Sequence, residues 1–462
     1  MEATNGGNRV LILGGSFAGL YCTQVLHDTA KKAGTPMPDI TLIDRNNFVL
    51  FTAFLPEMMS NQLNPLSIVP AIRRVVGGRN IAFHQTEILD IDLSNKRVTT
   101  GKSVFEADTL VLALGAVTNY FGNESFEKYG FPFKTMAHGL RLRNHIIDCL
   151  ERADRSKDEA ERRRLLTFIQ AGAGACGLEV MTELREFLHL TCGKAYRNIN
   201  FHRDVQLILA EGLPRVLSGM PEACALAACE KMQRRHIDVR LSTFVTGAGP
   251  GWVELDGKDR LETDTLIWVA GVKANPLTAA LPGEHDRSGR IKVDEYNRVV
   301  GQQNVYAIGD CAHLLENGEP LASTAQVAVQ QGPNLGRNLV KQALGEPMKP
   351  FKFQYRGDLV SVGALDAVCS PYGWSVFGAT GWLLFKWVYF SKMPTMQNRF
   401  RLLSDWLLHS LQGPTVARLH YNGQSDGANE PQPGPAPQPV AAAAAPSAEP
   451  NATDRQTSLG EG

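Results

Sequence analysis

Arg9-Val-Leu-Ile-Leu-Gly-Gly-Ser-Phe-Ala-Gly19 begins as an apolar run and breaks abruptly into glycine. The apolar part reads as a buried strand, Gly14-Gly-Ser-Phe-Ala-Gly19 as a tight turn, and Leu20 to Ala30 as the helix that follows. A second strand, Ile40-Thr-Leu-Ile43, ends at Asp44. Strand, glycine turn, helix and strand make a βαβ unit of the doubly wound kind. A glycine turn in front of a helix lets the backbone approach a pyrophosphate, whose charge meets free N–H groups at the helix N-terminus. Gly14, Gly15, Ser16, Phe17, Ala18 and Gly19 are therefore expected to hold a dinucleotide, with Asp44 at its ribose. Serine stands where the middle glycine of this pattern belongs, a small residue that still permits close approach.

The same grammar returns more than a hundred residues later. Leu165 to Gln170 reads as a strand, Ala171-Gly-Ala-Gly-Ala-Cys-Gly177 as the turn and Leu178 to Leu190 as the helix. The next strand, Val205 to Ala210, closes on Glu211. Here Gly172, Gly174 and Gly177 complete the pattern. Glu211 is placed to accept both ribose hydroxyls and to repel a 2′-phosphate, which favours NADH over NADPH, although the nearby Arg215 keeps that preference open. One such unit is weak evidence, and two that each close on an acid are much stronger. The expected fold class is α/β, with two Rossmann-like domains. One dinucleotide domain (8–135 and 272–350) is split around another (160–271), followed by a C-terminal region (351–420) and a tail (422–462).

Composition narrows the partners. The 462 residues carry 47 basic and 47 acidic side chains, a balance that gives no support to nucleic-acid binding. None of the 8 cysteines forms a C-x-x-C pair, which suits a reducing compartment, and no metal site is expected. The N-terminus lacks the basic and apolar segments of a secretory signal, and no apolar run reaches the roughly 18 to 20 residues of a spanning helix. The tail, rich in Pro, Ala, Gln and Gly and without an aromatic residue, is expected to be disordered.

Tyr306-Ala-Ile-Gly-Asp-Cys-Ala312 resembles the second FAD motif of two-dinucleotide-binding flavoproteins, a likeness that puts Gly309 and Asp310 at the ribityl chain. Leu112-Ala-Leu-Gly115 and Trp268-Val-Ala-Gly-Val272 match the crossover segments of that group, adding Gly115 and Gly271 to the expected cofactor contacts. Within the group, the chain resembles the type II NADH:quinone oxidoreductases, single-subunit respiratory dehydrogenases that do not pump ions. Leu110 to Phe121, Pro132-Phe-Lys-Thr135 and Ala325-Gln-Val-Ala-Val-Gln-Gln-Gly332 carry the resemblance, which covers roughly residues 8 to 420. It implies FAD and NADH as cofactors, a quinone as acceptor, Gln326 and Gln330 beside flavin and quinone, and Glu179 between the nicotinamide and quinone sites. Glu179 also reads as a first-turn acid favoured by the helix dipole, and the glutamines as polar positions sharing one helix face.

Other acceptors are weighed by the cysteines. Disulfide reductases of this group carry a C-x4-C pair soon after the first glycine turn, and Asn47 to Leu66 has no cysteine. Cys224 and Cys229 have the spacing but fall in the second unit, about 140° apart on a helix, and read as packing. Cys176 and Cys369 are the pair on which a sulfide:quinone alternative rests.

From 351 to 420 the chain carries seven basic residues against three acids. Met396, Phe400, Leu403, Leu407 and Leu411 gather on one side of a helix, with Asn398, Asp405 and His409 facing away. With the apolar Gly381 to Phe390 and with Lys386, Lys392, Arg399 and Arg401, they describe an interfacial amphipathic pair on a membrane surface; closure of the protein's own core or a homodimer contact is the alternative. The expected location is peripheral, on the cytoplasmic face of a bacterial inner membrane. Gly363-Ala-Leu-Asp366 departs from the family by lacking a basic residue often found there.

Overall fold

The computed structural model describes residues 8–412 and 415–418; the tail expected to be disordered lies outside them. Ten strands build two parallel sheets. In chain order they are β1 (Arg9–Leu13), β2 (Asp39–Asp44), β3 (Ile81–Gln85), β4 (Thr109–Leu112), β5 (Gly130–Pro132), β6 (Thr167–Ala171), β7 (Gln206–Glu211), β8 (Ile237–Leu241), β9 (Thr265–Trp268) and β10 (Val305–Ala307). The first sheet runs β10-β4-β1-β2-β3 and the second β8-β7-β6-β9-β5. Reversing the second order superposes the roles: β1 and β6 are central, β2 and β7 follow on one side, and β4 and β9 lie on the other. All pairings within both sheets are parallel. Val10 to Leu13 are buried, as a strand covered on both faces requires.

The helix α1 (Phe17–Ala33) begins three residues before the expected Leu20, because Ser16 is still extended and the chain turns helical directly after it. Helix α2 (Met136–Arg155) leads into the second sheet. Helix α3 (Ala175–Glu186) ends short of the expected Leu190 and passes into a π-helical turn, Phe187–Thr191. Helix α4 (Ala325–Ala343) packs on α1 through Gly332 and Gly336: a Cβ at either would lie within 2.4 and 2.8 Å of the α1 backbone. Two antiparallel strands, Ala116–Thr118 and Val272–Ala274, form the ribbon by which the chain crosses between the sheets.

The helices α5 (Gly378–Lys392) and α6 (Met396–Gln412) follow a three-stranded sheet of Leu359–Ser361, Ala367–Cys369 and Val376–Phe377. No helix among the described residues is long and apolar enough to cross a membrane. Met396, Phe400, Leu403, Leu407 and Leu411 are 47% to 74% exposed on α6. Its polar side turns inward: Asn398 donates to the carbonyls of Leu66 and Ser67, and Asp405 accepts from the Ser67 hydroxyl and the Asn64 N–H. Lys386 does not join the outward basic set. Its ammonium lies 2.6 Å from Glu57 in a buried pair, because an amphipathic stem can reach under α6 toward a carboxylate supplied by a distant segment.

Candidate functional site

Both glycine turns are built to one plan. Gly14 (φ +107°) and Gly172 (φ +101°) take a conformation that side chains avoid. A Cβ on Gly14 would meet the Ala113 carbonyl at 2.2 Å, and one on Gly172 the Val269 carbonyl at 2.8 Å. Those carbonyls belong to the segments that run from β4 to Gly115 and from β9 to Gly271. Each turn therefore sits where the strand order reverses, the crevice in which doubly wound sheets take ligands. Gly19 and Gly177 press against the carbonyls of Gly14 and Gly172, where a Cβ would come within 1.9 and 2.2 Å. The middle position differs: a Cβ on Gly174 would meet nothing within 4 Å. That open side explains why Ser16, which is exposed, is accommodated at the matching place.

The two acids repeat the plan. Asp44 accepts the Gly15 N–H at 2.7 Å and the Asn46 N–H at 2.7 Å. Glu211 accepts the Ala173 N–H at 2.6 Å and the Leu213 N–H at 2.9 Å. In each case one oxygen holds the second residue of the turn and the other the residue two beyond the acid. Burial raises the Asp44 carboxyl above its ordinary value despite these donors. Neither α1 nor α3 has a side-chain cap or a first-turn acid, whereas Thr135 and Thr324 cap α2 and α4. The first N–H groups of α1 and α3 thus remain available to a phosphate. A pyrophosphate-bearing cofactor fits both turns.

Gly309 brings β10 to the first turn, where a Cβ would approach the Ala18 methyl at 3.1 Å. Its N–H donates to Gln331 at 2.7 Å, and Gln331 also donates to Asn297 at 2.9 Å. Beside it, Asp310 lies 3.8 Å from the Lys134 ammonium. Gly115 accepts from the Asn275 N–H, and Gly271 from the Asn119 N–H, which tie the crossing ribbon.

Glu179 falls past the first turn of α3, which starts earlier than expected at Ala175; it is buried and accepts the Ser361 N–H at 3.3 Å. Burial drives its carboxyl well above the usual range, with Glu57 and Glu183 adding to the effect. One turn along, Glu183 accepts from Ser60 at 2.8 Å and Gln62 at 2.6 Å. Burial, then Glu57, raise it to about 8. Gln326 and Gln330 share a face of α4, as their spacing implies, but both amides grip one neighbouring segment. Gln326 bonds Gly357 and Arg356, and Gln330 bonds both backbone groups of Gln354, all at 2.9 to 3.1 Å. Sequence reasoning missed Glu57, Glu183, Gln331 and Ser361. Only Gln331 stood in a quoted motif; the others meet the site through chain separations of 121 to 329 residues. Asp366, in the stretch that lacks a basic residue, is bound by Lys231 of the helix Glu222–Arg234 at 2.6 Å and by Arg235, just past that helix, at 3.2 Å. All cysteines among the described residues are free, and Cys224 and Cys369 are buried.

The family model of pyridine nucleotide-disulphide oxidoreductases matches residues 8–332. The type II NADH:quinone oxidoreductase NdhA of Mycobacterium tuberculosis is 30% identical over 424 residues, covering 88% of this chain and 87% of the relative. This chain belongs to that family. The Staphylococcus aureus type II NADH:quinone oxidoreductase is 29% identical over 375 residues, covering 80% of this chain and 91% of its own length. Among solved structures, NDH2 of Plasmodium falciparum in complex with NADH shares the fold at a TM-score of 0.80 and 20% identity, covering 89% of this chain and 99% of that one.

Proposed function

We propose that this chain oxidises NADH and reduces a quinone at a membrane surface. The observation that carries the reading is the repeated clasp of glycine turn and acid, one at the switch point of each sheet. The chain binds FAD and NADH. We assign FAD to the split unit (8–135 and 272–350), held by Gly14 to Gly19, Asp44, Gly309 and Asp310, and NADH to 160–271, held by Gly172, Gly174, Gly177 and Glu211. When bound, FAD would supply the redox chemistry between NADH and the quinone.

The protein's own part is orientation and proton supply. Gly14 and Gly172 bring backbone N–H groups to the two pyrophosphates, and Asp44 and Glu211 take the riboses. Lys134, 3.8 Å away, offsets the charge of Asp310. Quinol formation needs a proton at each quinone oxygen, and Glu179, whose carboxyl is pushed well above its ordinary range by burial, is the group we assign to donate one. Gln326 and Gln330 hold the segment 354–357, which shapes the quinone side of the site from behind. The exposed apolar face of α6, with Leu383 and Trp387 of α5, supports docking on lipid, since an outward apolar ridge backed by inward polar contacts suits an interfacial helix. We place that surface on the cytoplasmic side of a bacterial membrane.

Anaerobic stopped-flow absorbance tests the reading. NADH should bleach a flavin band, and a soluble quinone should restore it. Bleaching without recovery would move the acceptor to another class, and no flavin band after FAD is supplied would remove the FAD assignment to the first turn.

A further inference from the structure

At the end of α3 farthest from its glycine turn, the π-helical turn Phe187–Thr191 and the 3-10 turn Cys192–Lys194 lead toward the short helix Phe201–Asp204. Together they line an open depression of about 560 Å³, whose wall includes His189, Lys194, Arg197, Asn200, His202 and Arg203. None of the residues in that wall is a carboxylate. Arg203 is answered from just outside by Asp204, at 2.6 Å, which also lies 3.5 Å from Arg162. Asp154, another acid close by, is occupied by the backbone and side-chain amides of Asn198. Lys194 and Arg197, by contrast, form no ion pair among the described residues, and both are exposed.

The imidazoles of His189 and His202 stand 4.8 Å apart with no acid between them. His189 Nδ1 is buried and has no hydrogen-bond partner in the structure. A buried polar atom left unpaired is unfavourable by about 1 to 3 kcal/mol, and an unmatched group of this kind calls for an explanation. Burial, with Arg185, His202 and His236 nearby, holds His189 down at about 4, so its ring is neutral at physiological pH. A concave wall with uncompensated cations and no carboxylate concentrates anions.

We propose that this cavity binds a phosphate-bearing anion, with Lys194 and Arg197 neutralising the phosphate. Guanidinium and ammonium donors beside imidazole suit a phosphate, which offers several strong acceptor oxygens at once. The volume falls in the range of small-molecule sites and leaves room for more than one phosphate group. The position lies beyond the C-terminal end of α3, so this anion is separate from the pyrophosphate taken at the helix's other end. Its source is either a soluble polyphosphate or the headgroup of an anionic lipid.

The test uses full-length, FAD-loaded protein saturated with NAD+, so that both dinucleotide positions are filled. Inorganic pyrophosphate is titrated by calorimetry, and vesicles of phosphatidylcholine, alone or mixed with phosphatidic acid, are tested by co-sedimentation. Wild type is compared with Lys194→Glu/Arg197→Glu, whose surface changes should leave the unliganded melting temperature and NADH oxidation unchanged. Saturable pyrophosphate binding that weakens about tenfold or more in the variant supports a soluble ligand. Failure to bind pyrophosphate, with phosphatidic-acid-dependent sedimentation lost in the variant, supports a lipid headgroup. Equal behaviour of variant and wild type toward both probes overturns the site.

Discussion

Glu211 uses each carboxylate oxygen for one backbone donor, Ala173 N–H on one and Leu213 N–H on the other. A carboxylate offers about four acceptor positions, so each oxygen retains capacity for a ribose hydroxyl. An amide has only one oxygen, and Glu211→Gln must turn an NH2 group against one of those backbone donors. We expect the KM for NADH to rise about tenfold with kcat little changed. Glu211→Arg should lose the preference for NADH over NADPH, read as the ratio of kcat/KM values. Wild-type kinetics in both variants would remove Glu211 from the ribose.

Glu183 gives a prediction with a definite sign. Its carboxyl titrates at about 8 in the fold, against an ordinary 4.5. Between those values the folded state keeps a proton that the unfolded chain has lost, so stability falls as pH rises through that interval. The contribution is complete below the ordinary value and gone above about 8. Melting temperatures followed across the interval should decline in the wild type and decline less steeply in Glu183→Gln. Some slope will remain, because Glu179 is shifted in the same direction. A variant with the wild-type slope would show that Glu183 titrates normally.

At the scale of elements, a buried ion pair adds to the apolar contacts of Phe385 and Tyr389 in fastening α5 to the body. Lys386 meets Glu57 at 2.6 Å, the Trp406 indole N–H donates to the same oxygen at 3.3 Å, and both charged side chains are nearly inaccessible. Removing one partner of a buried pair strands the other charge. Lys386→Ala should therefore lower unfolding free energy by about 3 to 5 kcal/mol, measured by urea denaturation, and a Lys386→Met/Glu57→Leu double variant should recover much of it. No recovery would mean that packing around the lysine stem, rather than its charge, holds α5.

This pair also marks the limit of what the sequence makes legible. Strands, glycine turns and terminal acids are local patterns, and β1, β2, β6 and β7 fall where periodicity puts them, with shifts of one or two residues. The start of α1 was misplaced because Phe17 to Gly19 read as turn when they already form its first helical turn. The π-helical end of α3 carries no local signal that separates it from a continuing helix. Glu57 sits 329 positions from Lys386, and nothing in either segment announces the other. Lys386 read as a surface charge for that reason. Even the glutamines of α4, whose shared face was legible, gave no hint that their amides would be spent on residues 354–357.

For the whole molecule, the two sheets present equivalent crevices, while α5 and α6 present a surface of a different kind. Phe400→Glu/Leu407→Glu places two charges on exposed positions that support no core. Vesicle co-sedimentation should fall several-fold, while the melting temperature in detergent and the NADH half-reaction stay as in the wild type. Unchanged sedimentation would move lipid contact away from α6.

That helix is dressed inside out: its hydrogen-bonding residues line the seam with the body, and its oily residues look outward. In lipid the arrangement is at rest. In plain buffer the same ridge meets only water or the ridge of another molecule. Colloidal behaviour then follows the surroundings rather than the fold, and light scattering should climb with concentration until detergent is added. How long a purified sample stays clear should then depend on that one stripe.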